Sequence, residues 1–238
     1  MTIHDDEDPD DYDDYDDDYD DDDSYANGHG NHHLLLAPEP FPPKPRSFLE
    51  DKPDWQHLRI PLLLIALFAL ASLAAWKDHA SLWVSYESVF ADHEFWRVVT
   101  ALAMHADLYH LLANTPMFLF FGFYLGAYFG KGVFPVLAVV VGALANLATI
   151  GTYAPQTRLM GASGMVYGMQ GMWLVLYLHY DVRYRFPVRL MRVLGVMLIL
   201  MVPTAYEDNV SYAAHGFGFL FGGFFAWLHV HSPFKPKL

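Results

Sequence analysis

The chain has 238 residues, of which 54% are hydrophobic, and a formal charge of −13. Fifteen of its acids lie in residues 1–23, which hold no Lys or Arg, so the remaining 215 residues stand at +2 with fourteen basic and twelve acidic side chains. A body that apolar and that nearly neutral excludes an ordinary acidic soluble enzyme, and the absence of cysteine excludes disulfides, thiolate metal sites and a Cys nucleophile.

Residues 1–33 are rich in Asp and Tyr, then in Asn, Gly and His, with no apolar periodicity. Such a segment cannot bury enough surface to offset its ordering entropy and is expected to be a disordered tail. Residues 34–59 carry Pro38, Pro40, Pro42, Pro43 and Pro45, the composition of an extended linker, with a short interfacial piece around Phe48 to Leu58. No basic n-region with a following apolar h-region opens the chain, so insertion is assigned to the first internal apolar run.

From Ile60 onward, long uncharged runs follow one another: Ile60–Trp76, about Leu108 to Phe129, Val133 to Gly151, about Gly161 to Leu178, about Val193 to Val202, and Tyr212–Val230. A hydrocarbon core roughly 30 Å thick needs about 20 helical residues. The fifth run reaches that length only if Pro187–Arg192 supplies its first turn. The expected fold is therefore all-α, a polytopic six-helix bundle over residues 60–231, with residues 232–238 as a short C-terminal extension. Eleven of the fourteen Lys and Arg residues fall on the side shared by both termini, which the positive-inside rule places in the cytoplasm.

With that topology the second, fourth and sixth runs all enter from the outer face, and each opens on unusual polar residues. The second carries His105, His110 and Asn114, the fourth Ser163, and the sixth His215. His110 and Asn114 are four apart and share a helix face. Gly161, Gly164, Gly168 and Gly171 in the fourth run, and Ala214, Gly218, Gly222 and Ala226 in the sixth, form small-residue stripes of the kind that let helix backbones touch. If the stripes face each other, Ser163 and His215 meet near the outer surface and Tyr167 packs under the imidazole. Taken singly, each feature has an ordinary explanation: a membrane serine usually bonds a nearby carbonyl, a glycine stripe usually only packs, and Trp96-Arg97 alone is an interfacial anchor. Their joint placement at one depth is what carries the argument, because polar groups in a membrane are costly.

The set Trp96-Arg97, His105-x4-His110-x3-Asn114, Gly161-Ala162-Ser163-Gly164 and Ala214-His215-x2-Gly218-x3-Gly222 resembles, in order and spacing, the rhomboid family of intramembrane serine proteases. The resemblance covers about Ile60 to Val230. It departs from many members at Gly126, where they carry a Glu. It implies peptide-bond hydrolysis by a dyad in which Ser163 is the nucleophile and His215 the general base, with the Ser163 N–H, His110 and Asn114 holding the oxyanion. His105 and Tyr167 would support the site, and Trp96, Arg97, Gly161, Gly164, Gly218 and Gly222 would be structural. No cofactor, metal or nucleic-acid partner is expected. The expected partners are transmembrane protein substrates and the lipid bilayer, in the plasma (inner) membrane, with residues 203–211 as a lid.

Two other classes were weighed. A catalytically silent rhomboid-like protein that binds membrane clients would usually lack the Ser or the His. A metal-ion transporter, suggested by the Asp-rich and His-dotted tail, would place ligating acids inside its spans, and none of the twelve later acids lies in an apolar run.

Overall fold

A computed structural model describes residues 48–78, 82–201 and 210–232. The Asp-rich tail, the linker up to residue 47, residues 79–81, residues 202–209, which hold most of the expected lid at 203–211, and residues 233–238 lie outside the described residues.

Among the described residues eight α-helices follow in chain order: α1 (Arg59–Asp78), α2 (Tyr86–Phe90), α3 (Arg97–Thr100), α4 (Leu108–Phe129), α5 (Ala138–Ile150), α6 (Ser163–Tyr180), α7 (Phe186–Met201) and α8 (Tyr212–His231). The segment Gly132–Leu137, one loosely wound turn, leads directly into α5. Among the described residues the only extended pairing is a single antiparallel bridge between Val84 and Leu159. Among the described residues, four helical segments are long and apolar enough to cross a membrane: Trp55–Lys77, Leu108–Phe129, Gly132–Ile150 and Tyr212–His231. Helix α6, with 18 residues, has the length of a span but not the composition. Its Gly, Gln and Tyr residues are buried against other helices, so this helix needs no lipid-compatible surface. Helix α7 begins at Phe186, with Pro187 in its first turn, where a missing N–H costs nothing. Residues 187–192 thus belong to α7, the helix of the fifth apolar run.

Residues 48–58, read from sequence as a short interfacial piece at the end of the Pro-rich linker, pack on the bundle. Phe48 packs edge-on against Tyr128 at 5.0 Å and lies 5.4 Å from Phe129, and the exposed Trp55 stacks on Phe123 at 5.5 Å.

The central contact of the bundle is between α6 and α8. A methyl group added at Gly218 would strike the Gly164 carbonyl, one at Gly222 the Gly168 carbonyl, and one at Gly171 the Phe219 carbonyl. The two small-residue stripes therefore touch backbone to backbone. Phe134, 1% exposed, fills the space beside Gly122 and Gly126 on α4, so the position at which Gly126 departs from the common Glu is occupied by packed aromatic surface.

The turn from α6 to α7 is closed by ion pairing. Asp181, fully buried, accepts from Arg183 Nε at 3.0 Å and Nη2 at 3.2 Å, and Arg189 donates to the Leu178 and Asp181 carbonyls. Burial by itself would raise the Asp181 carboxyl, but hydrogen bonds from Arg183 and Tyr177 prevail and hold it below the usual carboxylate range.

Gly222→Ala should destabilise the protein by about 1–3 kcal/mol in thermal unfolding in detergent. Gly195→Ala, whose added methyl meets nothing within 4 Å, should be neutral or mildly stabilising. Because the carboxyl of Asp181 is depressed in the fold, its contribution is present above pH of about 4 and lost as pH falls through the folded-state value. Asp181→Asn should lower stability at neutral pH by about 1.5–3 kcal/mol and flatten the loss seen on acidification.

Candidate active site

The first turns of α4, α6 and α8 line one cavity of about 730 Å³. The three helices therefore run in the same direction, and their N-terminal ends surround this space. His110 and Asn114 enter it from α4, Ser163 from α6, and His215 from α8. Gly161 and Tyr153 complete part of its wall.

Ser163 is the first residue of α6, half-buried, following Ala162, whose side chain offers no cap. Among the described residues nothing accepts the Ser163 backbone N–H. A helix N-terminus with open N–H groups favours negative charge. The turn into α6 is made possible by Gly161, at φ +115°, a backbone conformation that side chains other than glycine rarely adopt. A methyl group there would also come within 2.7 Å of the His110 ring, so the imidazole rests directly on the Gly161 backbone. The Gly161 N–H is in turn bonded to the Ala101 carbonyl at 2.9 Å.

His215, 7% exposed, stands one turn into α8. Its ring stacks on Tyr167 with centroids 3.9 Å apart and planes within 10°. This face-to-face contact fixes the imidazole plane from below. The start of α8 is capped by Ser211, whose Oγ accepts the Ala214 N–H at 3.2 Å and contacts the Tyr153 hydroxyl at 2.9 Å. Gly164 lets α6 approach the Ala214 carbonyl, where a methyl group would sit 3.4 Å away. Ser163 and His215 share the cavity without a direct hydrogen bond between them.

Asn114, 3% exposed, donates one N–H to the His110 carbonyl at 2.9 Å. The second N–H of that amide has no acceptor among the described residues. Asp107, the acid lining the cavity, is engaged as the cap of α4, accepting the His110 N–H at 2.8 Å.

His105 does not line the cavity; it holds up the structure behind it. It is fully buried, its Nε2 accepts the Ala162 N–H at 3.4 Å, and its ring meets that of His110 edge-on at 5.1 Å. Acceptance at Nε2 leaves the proton on Nδ1, which faces Ser72 Oγ at 3.5 Å. The His105 N–H also donates to Ser72 Oγ at 3.0 Å, and Trp76 Nε1 donates to the His105 carbonyl at 2.9 Å. Ser72 and Trp76, which sequence reasoning passed over because they sit inside the first apolar run, thus tie α1 to the residue preceding Ser163.

Trp96 and Arg97 lie away from the cavity, in the segment that joins α1 to α4. The Arg97 guanidinium pairs with Glu94, donates to the Trp83 carbonyl at 3.1 Å, and lies over the rings of Trp96 (4.7 Å) and Trp83 (5.2 Å). The next residue, Val84, pairs through both backbone groups with Leu159, four positions before Ser163. Asn146 of α5 adds a hydrogen bond to the Val98 carbonyl at 2.9 Å. The loop between α1 and α4 is therefore a folded plate fastened to the approach to α6.

Residues 92–232, more than half of the chain, match the Rhomboid domain. The chain belongs to the rhomboid family, and its apolar helices make it an integral membrane protein. It is 28% identical to the putative rhomboid protease YdcA of Bacillus subtilis over 171 residues, which cover 70% of this chain and 82% of that protein. Identity to the rhomboid protease GluP of the same organism is 26% over 188 residues, 75% of this chain but 35% of GluP. Identity to the rhomboid protease GlpG of Pectobacterium atrosepticum is 23% over 194 residues, 79% of this chain and 68% of GlpG.

The bracing of Ala162 gives a test of the structural account. Ser72→Ala leaves the buried His105 N–H without its acceptor, and should cost about 1–3 kcal/mol in thermal unfolding while leaving the helix content of the folded protein unchanged by circular dichroism.

Proposed function

We propose that the protein is an intramembrane serine endopeptidase that hydrolyses peptide bonds in or near the membrane-spanning segments of other membrane proteins. The observation that carries this reading is the single cavity lined at once by Ser163, His215, His110 and Asn114. Three helices running the same way bring these groups to one end of the bundle, and relatives named as rhomboid proteases support the class.

In this mechanism the Ser163 Oγ attacks the scissile carbonyl carbon while the His215 imidazole takes its proton. The carbonyl oxygen becomes an oxyanion held by the Ser163 N–H, the open N–H of Asn114 and the His110 ring. His215 then gives its proton to the leaving amine, and the acyl-enzyme is released by water that His215 deprotonates in its turn. A third, carboxylate member is not needed to orient the base, because stacking on Tyr167 already sets the plane of the imidazole.

All six long helical segments cross the bilayer in this reading, with both termini cytoplasmic and the cavity near the outer face of the plasma membrane. Substrates are single-span proteins whose helices unwind easily near that face, since small or helix-destabilising residues lower the cost of extending the backbone at the cut site.

Purified protein in detergent, incubated with a single-span reporter, is expected to cut it, whereas Ser163→Ala and His215→Ala should not. Asn114→Ala should reduce the rate by about 100–1,000-fold with little change in apparent substrate affinity. Equal reporter loss with wild type and both dyad variants would contradict the assignment and favour a silent, client-binding rhomboid-like protein.

A further inference from the structure

A second cavity, of about 390 Å³, lies at the other end of the bundle. Its walls come from the C-terminal halves of α4 and α6, from α7, and from the docked segment before α1, whereas the first cavity is built from the N-terminal ends of α4, α6 and α8. Its size falls within the range of about 300–1,000 Å³ usual for small-ligand sites.

The lining is of two kinds. Phe120, Tyr124, Tyr128 and Trp173 make an aromatic wall, and Lys52 and Arg192 also line the space. Among the described residues no acid lines it. Both cations are exposed, and neither has a carboxylate partner among the described residues. The Arg192 guanidinium instead lies 3.8 Å over the Tyr184 ring, which orients it without neutralising it. Among the nearby acids, Glu50 and Asp181 pair with Arg183, Asp54 accepts the Gln56 N–H as a cap, and the carbonyl of Asp51 accepts from the Tyr128 hydroxyl.

A cavity walled by aromatic rings and lined as well by two cations without a carboxylate partner among the described residues matches a molecule with a hydrocarbon tail and an anionic head. On the end of the bundle assigned to the cytoplasm, that chemistry is supplied by the membrane itself, because anionic lipids are concentrated in the cytoplasmic leaflet and basic pockets between helices take their headgroups. We propose that this cavity is a site for one anionic phospholipid, its phosphate held by Lys52 and Arg192 and an acyl chain lying along Tyr124, Tyr128 and Trp173. The side of the membrane rests on the topology proposed above; the site does not depend on proteolytic activity. A lipid there would join the segment before α1 to α4, α6 and α7.

The test is photocrosslinking in the full-length protein. Benzoylphenylalanine replaces Val196 on the cavity wall, the protein is reconstituted in vesicles of phosphatidylcholine with phosphatidylglycerol, and adducts are identified by mass spectrometry. The expected result is a phosphatidylglycerol adduct enriched about tenfold or more over its share of the bilayer. Enrichment should fall to about one in Lys52→Gln/Arg192→Gln, and stay unchanged in Arg185→Gln, an exposed cation outside the cavity. Adducts in proportion to bilayer composition, equal enrichment in the double variant, or crosslinks to the chain's own N-terminal residues or to a second copy would each overturn the proposal. Because the readout is a lipid adduct, its failure leaves the protease reading standing, and the converse also holds.

Discussion

The contact on which the rest of the structure depends is the one between the backbones of α6 and α8. Gly164, Gly168 and Gly171 on one helix meet Gly218, Phe219 and Gly222 on the other so closely that a single methyl group would overlap a carbonyl. In a membrane, where lipid tails are as apolar as any side chain, helices gain little from hydrophobic association and must associate by fit. The fit here also fixes position. Two helices with interlocking backbones cannot slide, so the first residue of α6 and the fourth of α8 are held at the same level. Those residues are Ser163 and His215.

Around this rigid pair, the remaining polar groups are each placed by a partner distant in the chain. Ser72 and Trp76 of α1 hold His105, and His105 holds the N–H of Ala162. Tyr153, in the loop after α5, meets the Ser211 cap of α8. The Val84–Leu159 bridge and Arg97, seated between Trp83, Trp96 and Glu94, fasten the loop between α1 and α4 to the approach to α6. A site of this kind tolerates a membrane setting because its polar groups are fixed before any substrate arrives, which is also the condition for effective stabilisation of a developing oxyanion.

Much of this could be read from the sequence, and for a physical reason. Helices in a membrane are bounded by length and apolarity, so the runs at 108–129 and 212–230 translate almost directly into α4 and α8. Glycine stripes and polar residues stand out against an apolar background, which is why Ser163, His215, His110, Asn114 and the residues packing α6 on α8 were accessible without coordinates. What was not legible was whatever depends on contacts across the chain. Ser72 looks like an unremarkable member of an apolar run until its partner 33 residues away is known. Tyr153 and Ser211 lie in loops without a pattern, 58 residues apart. Residues 48–58 read as a short interfacial piece, but that Phe48 and Trp55 meet Tyr128 and Phe123 of α4 depends on contacts distant in the chain. Helix α6 shows the reverse: its buried glycines and Gln170 make it too polar for a membrane-span criterion because it faces protein on nearly all sides.

The central claim is that Ser163, at the open N-terminus of α6 beside His215, is a nucleophile. The most direct measurement is reaction of the protein in native-like membranes with a fluorophosphonate probe, followed by peptide mapping of the adduct. The account predicts one modified residue, Ser163, with labelling lost in His215→Ala although Ser163 is still present. Labelling that is absent in the wild type, spread over other serines, or undiminished in His215→Ala would contradict it.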